Sequence, residues 1–165
     1  MNTFLSRLLT FLLMAALQIL IFGRICLFGV GTPLIYLWFI LTLNTTLSRN
    51  KLMLWAFAMG LTVDIFFNTP GVNAAASTMT AFLRPALLRF FSPRDANTFS
   101  PHIESMGFVS FLNFIFVSSL FHLVVVTLLT FFSFDRPMLM LLFAGLGTLL
   151  TTILLLALEF LRTKS

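Results

Sequence analysis

The chain reads as an all-α, polytopic membrane protein: a bundle of six transmembrane helices. Two properties predict this. Of 165 residues, 59% are hydrophobic and only 9% are charged, whereas a soluble domain of this size needs far more charge to cover its outside. The apolar residues also gather into long runs, separated by short segments rich in Gly, Pro, Asn, Ser and Arg. About 20 apolar residues cross the roughly 30 Å hydrocarbon layer as a helix, so each run is read as a span.

The first span, Ser6 to Cys26, follows Arg7 closely and so mimics a secretory signal. No small-residue cleavage site follows Leu20, where large side chains continue through Phe22, so it is read as a retained span. The second, Thr32 to Leu47, is the shortest and starts after Gly29-Val30-Gly31-Thr32-Pro33. Ser48-Arg49-Asn50 separates it from the third, Leu52 to Asn68. The turn Asn68-Thr69-Pro70-Gly71 leads into the fourth, Val72 to Phe91. The 92–107 connection is the one segment long enough for structure of its own. The fifth span, Phe108 to Phe132, joins the sixth, Met138 to Phe160, through Asp135-Arg136-Pro137, where Pro opens a helix without losing a needed hydrogen bond.

Seven basic residues fall on one side of this arrangement: Arg7, Arg49, Lys51, Arg89, Arg94, Arg162 and Lys164. Arg24 and Arg136 fall on the other. The positive-inside rule therefore predicts both termini and the 92–107 loop on the cytoplasmic side. The net charge of +5 comes from scattered residues rather than a basic face interleaved with aromatics, which argues against nucleic acid. The single cysteine, Cys26, excludes an internal disulfide and a cysteine metal cluster.

Asp64 is the residue that most needs explaining. An acid inside an apolar span must be paired, hydrogen-bonded, protonated or turned inward. Gly60, Asp64 and Asn68 recur every four residues and so form one stripe of the third span. The small Gly60 admits a neighbouring helix. Asn73, Ser77, Thr80 and Arg84 form a stripe on the fourth span, and the two stripes are expected to face each other across the turn. At 1.5 Å per residue, Asp64 and Ser77 lie about 6–8 Å inward and Arg84 about 18 Å inward, so a direct salt bridge is not expected. Asp64 is expected to accept hydrogen bonds from Ser77, Asn73 or the turn backbone. Arg84 is expected to snorkel toward the cytoplasm beside a kink at Pro85. The carboxylate either locks a helical hairpin or serves partner docking, ligand binding or proton relay.

The stretch Gly60-Leu-Thr-Val-Asp64-Ile-Phe-Phe-Asn68-Thr-Pro70-Gly71-Val-Asn73-Ala-Ala-Ala resembles the signature region of the bacterial rod shape-determining protein MreD family. Ala81-Phe-Leu-Arg84-Pro85, the chain length, Gly31-Thr-Pro33 and Ser92-Pro-Arg-Asp95 extend the resemblance. It carries Gly60, Asp64, Gly71 and Asn73 onto signature positions, with Arg84 in a narrower subset. It implies a non-enzymatic inner-membrane subunit of the cell-wall elongation complex, without cofactor, working with MreC, the MreB filament and the peptidoglycan polymerase and transpeptidase pair. It also implies a helical arrangement similar to the substrate-binding subunit of energy-coupling-factor transporters.

That transporter subunit is the alternative function, and it would need convergent polar and aromatic groups in an outer pocket, for a vitamin. A proton carrier would need a path of ionisable groups, for which His122 and Glu159 are the further candidates; His122 among apolar neighbours reads rather as an interhelical hydrogen-bonding residue. With only His102 and His122 in the chain, neither a nucleophile with its base nor a metal cluster can be assembled. Glu159 is expected at the cytoplasmic edge near Arg162. Gly145, Thr148 and Thr152 have the spacing of a close helix approach.

Overall fold

The computed structural model describes residues 3–24, 32–92, 101–131 and 137–163. Cys26, the Gly29–Gly31 turn, residues 93–100 of the 92–107 connection, and Asp135 and Arg136 lie outside the described residues. The described residues form seven α-helices and no strands: α1 (Thr3–Leu20), α2 (Leu37–Thr42), α3 (Arg49–Phe67), α4 (Val72–Phe91), α5 (Ile103–Met106), α6 (Phe108–Thr130) and α7 (Pro137–Thr163). A 3-10 turn, Phe22–Arg24, extends α1.

Four helices are long and apolar enough to cross a membrane, namely α1 with its 3-10 turn, α3, α6 and α7. They make the chain a membrane protein. Helix α4 is 20 residues long, but its buried side is polar, carrying Asn73, Ser77, Thr80 and Arg84. The long helices pack in the series α1, α3, α4, α6, α7, each against the next. Gly60 lets α3 and α4 come close. A Cβ there would clash with the Asn73 carbonyl oxygen and lie 2.6 Å from Ala74 Cα, so only glycine allows α3 and α4 to meet this tightly.

The second predicted span departs most from expectation. Only Leu37–Thr42 is α-helical there, six residues inside an otherwise irregular segment that touches α1, α3, α4 and α6. The break has local causes on both sides. Before α2, Pro33 biases its neighbour against helix, and the chain winds in through i→i−3 bonds, with Leu37 N–H donating to Leu34 and Trp38 N–H to Ile35. After α2, Asn44 Oδ1 accepts the Thr46 N–H at 2.9 Å, a side-chain turn that competes with helix. Tyr36, Leu37 and Ile40 are fully buried. Backbone this irregular is tolerated at membrane depth only when enclosed in protein that supplies its hydrogen bonds.

The small-residue stripe on α7 is also corrected. Thr148 and Thr152 are buried, but Gly145 is exposed with open space where a Cβ would go. Gly147 instead faces α6, a Cβ there meeting Leu123 at 3.2 Å. Glu159 is buried, accepting from Trp38 Nε1 at 3.3 Å and lying 3.9 Å from His102 Nδ1, which Arg162 Nη1 approaches to 3.2 Å.

Candidate functional site

The α3–α4 turn is built by two residues in left-handed backbone. Asn68 (φ 55°) ends α3, with its N–H and that of Thr69 both donating to the Asp64 carbonyl. Gly71 (φ 82°) occupies the N-cap position of α4. Glycine suits that angle but brings no side chain to cap the helix, so the first N–H groups of α4 lack the usual acceptor.

Asp64 supplies it from the other helix. Its Oδ2 accepts the Ala74 N–H at 2.8 Å, and its Oδ1 accepts the Asn73 N–H at 3.0 Å, Asn73 Nδ2 at 2.9 Å and the Thr69 hydroxyl at 2.7 Å. Asn73 and Ala74 are the second and third residues of α4, the positions an N-cap side chain normally serves. A carboxylate also complements the positive end of the helix dipole. Asp64, 3% exposed, is therefore an N-cap borrowed from the preceding helix.

The expected residues divide accordingly. Gly60, Asp64, Gly71 and Asn73 converge on this clamp. Asn68 does not join the polar stripe: it is exposed and acts through its backbone as the helix terminator. Pro70 is exposed in the turn. Ser77 is fully buried but takes none of the Asp64 lone pairs, because Thr69 and the α4 backbone occupy them. Thr69 is the member of the clamp that spacing did not reveal; its place in the turn beside an N-cap was the available signal.

Arg84 does the opposite of snorkelling. Helix α4 continues through Pro85 to Phe91, and the guanidinium, 2% exposed, turns inward to α2. There Nε donates to the Leu41 carbonyl at 3.0 Å and Nη2 donates to the Leu43 carbonyl. The last carbonyls of a short helix have no intrahelical partner, and a cation at the negative end of its dipole satisfies both needs. Arg84 and Asp64 thus serve separate helix ends, as their difference in depth required.

Other helices supply partners to further backbone groups of the broken segment. Gln18 of α1 accepts the Ile35 N–H at 2.8 Å and donates to the Pro33 carbonyl at 3.3 Å. Thr151 of α7 accepts the Leu34 N–H at 3.1 Å. The Tyr36 hydroxyl donates to Asn73 Oδ1 at 3.1 Å and lies 2.7 Å from His122 Nε2. His122 Nδ1 is in turn 3.0 Å from the Thr80 hydroxyl. His122 is fully buried and bonds α6 to α4 and to the broken segment. Gln18, Tyr36 and Thr151 escaped sequence reasoning, because a single polar residue in an apolar run does not show which backbone group it will meet.

No family model, no curated protein and no solved structure matches the chain.

Proposed function

We propose that this chain is a non-enzymatic, multi-pass subunit of the cell-wall elongation complex of a bacterial inner membrane. In this reading it is a protein of the MreD type that supports rod shape by holding or regulating MreC and, through it, the peptidoglycan synthesis machinery. Both termini lie in the cytoplasm, and the six-span bundle is of the energy-coupling-factor type, its second span broken. The observation that carries the reading is the convergence of the resemblance's signature residues on one rigid feature. Gly60, Asp64, Gly71 and Asn73 together lock the α3–α4 hairpin. A scaffold needs such a fixed shape, because a pre-organised surface loses less freedom when a partner docks.

The vitamin-binding alternative gains less support. The cavities described, of about 330 and 240 Å³, are lined by the N-terminal residues of α1 and α3, the C-terminal residues of α4, α2 with the residues that follow it, and Arg162. They lie at the opposite end from the Asn68–Gly71 turn, where an outer substrate pocket would open.

Chromosomal Asp64→Asn and Asp64→Leu variants test the proposal, scored for cell shape, protein abundance and co-purification of MreC. Rounded cells with normal abundance and lost MreC support docking through the clamped hairpin. Abundance that collapses in both variants makes Asp64 a purely structural residue and defeats docking through this feature. Normal shape with loss of vitamin uptake replaces the proposal with the transporter function.

A further inference from the structure

The end of the molecule away from the Asn68–Gly71 turn holds a feature the proposed function does not use. A cavity of about 330 Å³ lies between the start of α3 and the end of α4, lined among others by Thr45, Leu47, Arg49, Arg84, Pro85 and Arg89. That volume falls at the lower end of the range of about 300–1,000 Å³ typical of small-ligand sites. Three of its lining residues are arginines and none is acidic.

Each arginine is placed by a different constraint. Arg84 is held in the wall by the Leu41 and Leu43 carbonyls, so its charge is fixed there. Arg49 is pinned across the gap to α4, its Nη2 donating to the Phe82 carbonyl at 3.1 Å and its guanidinium carbon 3.8 Å from the Phe82 ring centre. Arg89 is exposed at the cavity mouth, in the last turn of α4.

The start of α3 adds to the positive field. Its N-cap Ser48 makes no side-chain cap bond, and no acid lies in the first turn, which instead carries Arg49 and Lys51. Cations at the positive end of a helix dipole repel it, and an anion beside them reverses the sign of that interaction. The outer face of α4 flanking the cavity is apolar, with Phe82 and Phe90 exposed toward the surrounding medium.

We propose that this cavity binds an anionic phosphate group, as carried by the headgroup of an anionic phospholipid or by free phosphate. Arg49 and Arg89 grip the phosphate oxygens, and Arg84 sets the potential at the back of the site. The exposed phenylalanines lie where the acyl chains of a seated lipid would run. On the orientation expected from the positive-inside rule this is the cytoplasmic leaflet, where basic pockets between helices meet anionic headgroups. The inference does not rest on the elongation-complex reading, since it needs neither MreC nor cell shape.

The test is native mass spectrometry of the purified full chain in detergent, titrated with phosphatidylglycerol, with phosphatidylcholine of the same chains, and with inorganic phosphate. Phosphatidylglycerol is expected to remain bound where phosphatidylcholine does not. Arg49→Gln or Arg89→Gln is expected to weaken it about fivefold each, and the pair about twenty-five-fold. Both side chains are exposed and remote from the Asp64 clamp, and an unchanged melting temperature confirms that each variant is folded. Displacement of the lipid by inorganic phosphate identifies the free ion as an occupant, and resistance to displacement identifies the headgroup. Equal retention of phosphatidylcholine overturns the proposal, as does undiminished phosphatidylglycerol binding by the double variant. A glutamate-rich peptide that binds where phosphatidylglycerol does not also overturns it, and makes the site a protein-docking one.

Discussion

The two ends of helix α4 solve one physical problem with opposite charges. At its start, bare N–H groups point into a low-dielectric interior, and Asp64 reaches over from α3 to accept them. Toward its other end, α4 itself lends a cation, and Arg84 donates to the unpaired carbonyls of α2. A helix end enclosed in protein cannot rely on water, so a buried polar side chain from a neighbouring helix replaces it. The difference lies in tolerance. A buried N–H left without an acceptor is rarer and more costly than a carbonyl left with one lone pair unfilled, so the carboxylate end should be the less forgiving.

That asymmetry predicts the largest effect at Asp64. Asp64→Leu strands two backbone N–H groups and the Thr69 hydroxyl, removes one of the two Asn73 Nδ2 bonds, and should destabilise the protein by about 4 kcal/mol. This is measurable as loss of the folded fraction under denaturant in detergent micelles. Arg84→Leu strands the carbonyls of Leu41 and Leu43 and should cost about 2 kcal/mol in the same measurement. A larger loss for Arg84→Leu than for Asp64→Leu would break the comparison.

Gly71→Ala should cost about 1 kcal/mol, since it places a Cβ on left-handed backbone with no clash to relieve. It sharpens the comparison by weakening the turn while leaving the carboxylate intact. The smallest effect is expected from Tyr36→Phe, about 1 kcal/mol or less for a lost hydroxyl that bridges Asn73 and His122. Its thermal unfolding should shift by a few degrees, whereas a collapse on the scale of Asp64→Leu would mean that the Tyr36 bridge, not the clamp, fixes the hairpin.

Much of the turn end was legible in the residues alone. Gly60, Asp64, Gly71 and Asn73 lie within fourteen residues of one another; the four-residue spacing puts Gly60 and Asp64 on one face of α3, and the turn at Gly71 brings the start of α4 against it. Ser77 misled because it shares a face with Asn73, yet the lone pairs of Asp64 were already taken by Thr69 and by backbone donors that side-chain spacing cannot display. Arg84 misled because snorkelling is the usual escape of an arginine near a helix end. It turned inward because α2 stops early and leaves carbonyls within reach.

The sequence by itself determined the solvent, the long helices and the tight α3–α4 turn, because hydropathy, helical period and the backbone freedom of Gly71 act over a few neighbouring residues. Only the tertiary structure decided how the second predicted span would break and what would complete it. Among the described residues, the partners of that segment include Gln18, Asn73, Arg84, His122, Thr151 and Glu159, drawn from four helices. Backbone inside a membrane is stable in whatever shape its neighbours can satisfy, and which side chain arrives is fixed by packing rather than by position along the chain.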